Sequence, residues 1–172
     1  MQTIICMKWG SRYGSVFVNR LYSSIMRHTI RPTKLYCFTD VDEGIDPEVI
    51  CKPLPKIKLP ETISLTPWRK ISVWQQPLNK LKGDVLFLDL DLVITGNLDR
   101  FFDYKPGKYC VIENWTQIGL NIGNTSCFRF PVGKYDNVFT KFQKNPIKIW
   151  NKYHIEQIYL SKEIKDQNFW PS

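Results

Sequence analysis

The stretch "GDVLFLDLDLVITGNLDRFF", residues Gly83 to Phe102, contains the run Val85–Ile94, which is apolar except for two aspartates. Residues Val85 to Leu88 are apolar at every position, which is typical of a strand buried on both faces of a sheet. Asp89 and Asp91 follow directly. Because a buried ionised carboxylate is costly unless it is paired, the sequence predicts that a compensating group meets these side chains.

The spacing of the two aspartates indicates what that group is. Side chains two residues apart on a strand point to the same face, so Asp89 and Asp91 can converge on one object. Ligands of open α/β sheets bind at the carboxyl ends of strands. Carboxylate oxygens suit Mg²⁺ or Mn²⁺, which keep positions open for water and substrate phosphates. From the residues alone, a turn cap and a backbone hydrogen bond remain the alternative to this metal site.

Strand-like and helix-like segments alternate along the chain. Strands are predicted at 3–7, 34–39, 49–51, 85–89, 109–113 and 126–130, helices at 15–28 and 68–76, and helical pieces within 134–165, with a proline-rich loop at 53–67. This alternation predicts an α/β fold with a mainly parallel central sheet flanked by helices. No repeat or linker divides the 172 residues, so we expect a single domain over 1–172.

Composition narrows the class of protein. An aromatic content of 14% argues against disorder, and no apolar run is long enough to span a bilayer. The N-terminus lacks the pattern of a secretory signal, and the five cysteines show no CxxC spacing, which predicts free thiols in the cytoplasm. The net charge of +8 is spread along the chain, which is typical of solvated faces; the alternative is attraction to an anionic partner such as a nucleotide, an acidic glycan or the inner face of the membrane. No nucleic-acid-binding module is recognisable.

Several short motifs occur in an order typical of one enzyme family. The DxD strand is followed by "NLD" from Asn97 and by Phe101-Phe102, and it is preceded by "RKISVW" from Arg69. The segment "IICMKWGSRYG" starts at Ile4, and "NTSCFRF" and "EQIYLS" occur later in the chain. Over residues 3–161 this order resembles the family 8 glycosyltransferases, the glycogenin and lipopolysaccharide-galactosyltransferase group, and bacterial glycosyltransferase-like proteins. The resemblance implies a GT-A-type, Rossmann-like domain.

The resemblance also implies roles for individual residues. Asp91 and Asp89 would bind Mn²⁺ or Mg²⁺, with Asp89 also reaching the ribose, and Lys70 would contact the phosphates. The nucleotide base would lie against the loop that carries Met7, Lys8, Trp9 and Tyr13.

Three further positions match the sugar side of the family's site. Asn124, with Asn121 as a competing candidate, would lie near the donor sugar and the acceptor. Glu156 and Gln157 match an Asp-Gln pair near the reacting carbon, with Glu in place of Asp.

One departure concerns a third metal ligand, a histidine near the C-terminus of relatives. This chain has two histidines, His28 at the end of a predicted helix and His154 in a predicted loop or cap, and relatives usually continue past the point where it stops. The third ligand is therefore missing, replaced by water or contributed from outside this chain. Three alternatives stay open: a minimal enzyme, a C-terminally truncated domain, or a degenerate relative that binds without turnover.

The resemblance implies a metal-dependent, retaining transfer of a sugar from a nucleotide-sugar, UDP-sugar first, to a hydroxyl of a glycan or lipid-linked acceptor. Two alternatives stay open. A non-catalytic nucleotide-sugar-binding protein would explain the missing histidine. A haloacid-dehalogenase-like phosphatase also has a motif similar to "FLDLDLVIT", but it places that motif early and needs a later acidic pair.

Overall fold

A seven-stranded sheet runs through the centre of the computed structural model, which describes residues 1–171. Its strands are β1 Gln2–Lys8, β2 Thr33–Thr39, β3 Ile50–Pro53, β4 Asp84–Leu88, β5 Cys110–Glu113, β6 Gly123–Pro131 and β7 Asn168–Phe169. The helices are α1 Ser15–Arg27, α2 Arg100–Asp103, α3 Asp136–Lys144, α4 Pro146–Tyr153 and α5 Glu156–Glu163, with 3₁₀ helices at Glu61–Ile63 and Pro67–Trp74.

The strand order is β3-β2-β1-β4-β6-β5-β7. Strand β6 is antiparallel to its neighbours β4 and β5, and the other neighbouring strands are parallel. The carboxyl ends of β1 to β5 and the first residues of β6 therefore meet at one edge of the sheet. The predicted α/β fold with a mostly parallel sheet is confirmed.

Both faces of the sheet are covered, and alternation along β1 explains how. Ile4 and Cys6 pack with helix α1, whereas Ile5 and Met7 belong to the core on the opposite face. That second core includes the Pro67–Trp74 helix and helices α3 to α5. Because fully burying one large apolar side chain contributes about 1.5–3 kcal/mol, the two cores hold the helices against the sheet.

The helix predicted at residues 68–76 is present, and the structure shows its form. This segment is a 3₁₀ helix from Pro67 to Trp74 rather than an α-helix, and nearly every side chain in it is buried. Because nearly every side chain is buried, the segment has no single apolar stripe from which a turn of 3.0 or 3.6 residues could be predicted. Helix α2 and strand β7 were not predicted, because four and two residues are too short to show a period.

No helix within residues 1–171 is long and apolar enough to cross a bilayer. The five cysteines are free thiols, as predicted. Burial raises the pKa of the Cys127 thiol to about 12. The predicted ends of helices at the two histidines are also confirmed, since His28 caps α1 and His154 caps α4.

Candidate active site

A cleft of about 520 Å³ opens at the edge where β1 and β4 end. Three segments form its walls: the loop after β1, the Asp89–Asp91 turn after β4, and the start of the Pro67–Trp74 helix. Six of the residues predicted for the site line it, namely Met7, Trp9, Tyr13, Lys70, Asp89 and Asp91. The parallel pairing of β1 with β4 brings these segments together from distant parts of the sequence.

Lys70 compensates the first aspartate. Its Nζ donates a hydrogen bond of 2.7 Å to Asp89 Oδ2, and both groups are largely buried. Burial raises the pKa of the Asp89 carboxyl above its usual value, and the charge of Lys70 and hydrogen bonds from Lys70 and the Ser126 side chain oppose that shift. A residue of the protein itself therefore neutralises this carboxylate, in addition to any metal that the sequence predicts.

The second aspartate is exposed and faces the cleft. Asp91 Oδ2 accepts a hydrogen bond of 2.7 Å from the Tyr13 hydroxyl. This bond raises the pKa of the Tyr13 phenol and holds the ring at the cleft wall, where it also packs edge-on against Phe17. An aromatic ring fixed in this way is suited to stack on a planar ligand.

The predicted Glu-Gln pair lies outside the residues that line the cleft. Glu156 is the first residue of α5, is only 4% exposed, and its Oε1 accepts a hydrogen bond of 2.7 Å from the Thr125 hydroxyl. The Thr125 carbonyl in turn accepts from Lys70 Nζ at 3.2 Å. Glu156 therefore connects to the cleft through Thr125 and is not one of the residues that line it. Gln157 is half-buried beside it.

Two other predicted residues lie outside the cleft lining. Lys8 turns its side chain away, and its Nζ donates to the carbonyl of Val41 at 3.0 Å. Asn124 is half-buried near the start of β6, where its Oδ1 accepts a hydrogen bond from the Ser126 amide. The competing candidate, Asn121, is an exposed turn residue with a φ of 57°.

Sequence reasoning missed Arg12, Leu65 and Thr125. Arg12 is exposed on the cleft wall with its guanidinium 5.5 Å from the centre of the Tyr13 ring, so it adds positive charge to the cleft. In the sequence, its position next to Tyr13 indicated that Arg12 could belong to the site. Leu65 lies in the proline-rich loop, and Thr125 acts through its backbone carbonyl, so neither residue type indicated a site.

The residues at the cleft fit a hard divalent cation. Asp89 and Asp91 offer carboxylate oxygens, and within residues 1–171 they belong to no group of three or more potential protein ligands. Mg²⁺ commonly binds through one or two carboxylates, while water and phosphate oxygens complete its octahedron. Asp89 and Asp91 would hold such a cation where a ligand in the cleft can share it.

Comparison with known proteins identifies the fold. No family model matches the sequence, and no curated protein matches it. Among solved structures, the glycosyltransferase GlyE of Streptococcus pneumoniae TIGR4 superposes with a TM-score of 0.67 at 15% identity, over 99% of this chain and 46% of GlyE. The galactosyltransferase LgtC, solved with donor and acceptor sugar analogues, gives 0.70 at 12% identity, over 98% and 73%.

The bifunctional glycosyltransferase WbbM gives a TM-score of 0.66 at 12% identity, over 99% of this chain and 38% of WbbM. These structural neighbours are glycosyltransferases with GT-A-like folds, so the predicted GT-A fold is confirmed. The chain spans about half the length of GlyE.

Proposed function

We propose that this protein is a metal-dependent glycosyltransferase that moves a sugar from a nucleotide-sugar to a hydroxyl group of a glycan or lipid-linked acceptor. One observation carries the proposal. Asp89, Asp91, Lys70 and Tyr13 line a single cleft at the carboxyl ends of β1 and β4, in a fold shared with glycosyltransferases. Ligands of open α/β sheets bind at this edge.

Different residues of the cleft would contact different parts of the nucleotide-sugar donor. Tyr13 and Trp9 supply aromatic surface for the base, with UDP as the first candidate. Lys70 and Arg12 place positive charge where a diphosphate would lie. Asp89 and Asp91 would hold Mn²⁺ or Mg²⁺, and the cation would neutralise the diphosphate leaving group as a Lewis acid.

Residues near the starts of β6 and α5 would contact the sugar that is transferred. Gln157 and Asn124 are half-buried there, and we assign them the contacts with the transferred sugar. We expect transfer with retention of the anomeric configuration. The free cysteines support a cytoplasmic enzyme, and the net charge of +8 supports action on an anionic glycan or at the inner face of the membrane.

A second function is a protein that binds a nucleotide-sugar without transferring it. One observation favours it: in the part of the chain that the structure describes, Asp89 and Asp91 are joined by no third side chain able to complete a metal site. A binding protein would keep the donor affinity of the cleft and lack turnover.

Calorimetric titration with UDP, GDP and CDP, each with and without Mn²⁺, tests the proposal. We expect one nucleotide to bind, with its affinity dependent on the metal. Asp91→Asn should lower that affinity at least about tenfold, because a neutral amide replaces a charged ligand of the cation, and losing even a hydrogen-bond partner of a metal ligand costs about 10–100-fold in affinity. Asp103→Asn is the matched control, since Asp103 is an exposed aspartate paired with Arg31 outside the cleft.

Metal-dependent binding that survives Asp91→Asn would contradict the metal assignment. If binding behaves as expected, transfer or hydrolysis of the matching nucleotide-sugar separates the enzyme from the binding protein. Release of phosphate from a generic phosphomonoester would instead support the phosphatase alternative.

A further inference from the structure

Glu156, which matches a residue near the reacting carbon in family 8, is buried behind the cleft floor. Only 4% of it is exposed, and Thr125, whose hydroxyl donates to Glu156 Oε1, is 2% exposed. A carboxylate enclosed to this degree does not reach a sugar in the cleft. Its influence on the site must pass through Thr125.

Thr125 also touches the charged pair in the cleft. Its carbonyl accepts from Lys70 Nζ at 3.2 Å, while the same ammonium donates to Asp89 Oδ2 at 2.7 Å. The Thr125 hydroxyl is thus bonded to Glu156 and the Thr125 carbonyl to Lys70, which also bonds Asp89, so the covalent frame of Thr125 joins the two sets of hydrogen bonds. The four groups come from α5, β6, the Pro67–Trp74 helix and the end of β4.

We propose that Thr125 and Glu156 are positioning residues for the donor cleft. The Thr125 hydroxyl, held by the Glu156 carboxylate, fixes the Thr125 carbonyl, and that carbonyl holds Lys70 against Asp89. This inference rests on the proposed function for its catalytic meaning. In it, Glu156 sets the geometry of the lysine and makes no contact with the donor sugar.

The physical reason lies in the side chain of lysine. Lysine is a point charge on a flexible stem with three donors, so its place in a site depends on the acceptors around it. Asp89 supplies one acceptor, and it is itself a candidate metal ligand. A second, fixed acceptor from β6 leaves Lys70 in one position before any ligand arrives, as a preorganised site requires.

A double-mutant cycle tests the coupling without any ligand. Folding equilibrium constants from urea unfolding are measured for Thr125→Val, Lys70→Met and the double variant. We expect the two changes to be non-additive by about tenfold in that constant, because the Thr125 hydroxyl fixes the carbonyl to which Lys70 donates. Thr140→Val is the matched control, since the Thr140 hydroxyl is exposed on α3 and donates only to Asn137 O, and it should combine additively with Lys70→Met. Additive behaviour of Thr125→Val would overturn the proposal.

Conservative variants test the same hydrogen bonds in the protein with nucleotide and metal bound. Glu156→Gln keeps an oxygen that accepts from Thr125, and Thr125→Ser keeps the hydroxyl, whereas Glu156→Ala and Thr125→Val remove these groups. In the metal-dependent nucleotide titration, the two removals should weaken binding about tenfold, and the two conservative variants should restore most of it.

The outcomes separate the two proposals. Transfer that is abolished by Glu156→Gln while nucleotide binding stays intact would make Glu156 a catalytic residue and overturn its positioning role. If the wild-type chain binds no nucleotide, the proposed function fails, and the mutant cycle still decides the positioning role. If Lys70→Met does not fold, the rescue series decides it.

Discussion

Lys70→Met should destabilise the protein far more than an ordinary surface lysine substitution. The change removes the partner of Asp89, whose side chain is only 22% exposed, and leaves a carboxylate that burial already disfavours. Breaking a fully buried pair costs about 3–5 kcal/mol. Because water reaches part of Asp89, we expect a loss of about 2–3 kcal/mol in the free energy of unfolding, or about 4–12 °C in Tm.

The loss should depend on pH in a definite direction. Burial raises the pKa of Asp89 in the folded protein and Lys70 opposes that shift, so Lys70→Met raises the pKa further. A carboxyl with a raised folded pKa is favoured in its protonated form, and this contribution to stability is lost as pH rises through the folded pKa. The difference between variant and wild type should therefore be largest at neutral pH and shrink on acidification.

Urea unfolding followed by tryptophan fluorescence measures both effects. Lys141→Met is the matched control, because Lys141 also contacts a carboxylate at 2.7 Å but is 57% exposed. That surface pair should contribute less than about 1 kcal/mol. Adding Asp89→Asn to Lys70→Met should recover part of the loss, since it removes the unpaired charge. Equal effects of Lys70→Met and Lys141→Met at neutral pH, or a loss that does not shrink in acid, would refute this reasoning.

Three further predictions concern single side chains. Gly123→Ala should lower the free energy of unfolding in urea by about 1–3 kcal/mol, because an added Cβ would lie 2.6 Å from Val111 Cγ1. Adding Val111→Ala should remove this clash and restore stability. An unchanged stability of Gly123→Ala would show that strand β5 moves to make room. Tyr13→Ala should weaken nucleotide binding in calorimetry, whereas Tyr13→Phe should keep the stacking ring and lose only the hydrogen bond to Asp91. Equal losses of nucleotide affinity in the two variants would exclude stacking. Arg129→Met should lower Tm strongly, because the fully buried guanidinium donates to backbone carbonyls of α2 and of the loop that follows it. An unchanged Tm would show that these hydrogen bonds do not stabilise the position of α2.

Much of the fold was accessible from the sequence because its signals are local. The apolar run at Val85–Leu88, the spacing of Val18, Leu21 and Ile25 in α1, and the strand patterns of β1 and β2 all lie within one element. Six of the predicted site residues line the cleft because each lies at the end of a strand, or in a loop, a turn or a short helix beside it. The sequence predicted a helix at 68–76 but not its 3₁₀ form, because burial of nearly every side chain leaves no apolar stripe that distinguishes 3.0 from 3.6 residues per turn.

The sequence by itself determined that two carboxylates end a buried strand in an α/β chain, since hydrophobic runs and a two-residue spacing are properties of neighbours along the backbone. Only the tertiary structure decided which group meets each carboxylate. Lys70 lies 19 residues before Asp89, and Tyr13 lies 78 residues before Asp91, so no local pattern links either pair. The tertiary structure also buried Glu156 behind Thr125, because the packing of α5 against β6, and not the identity of the side chain, sets what a carboxylate can reach.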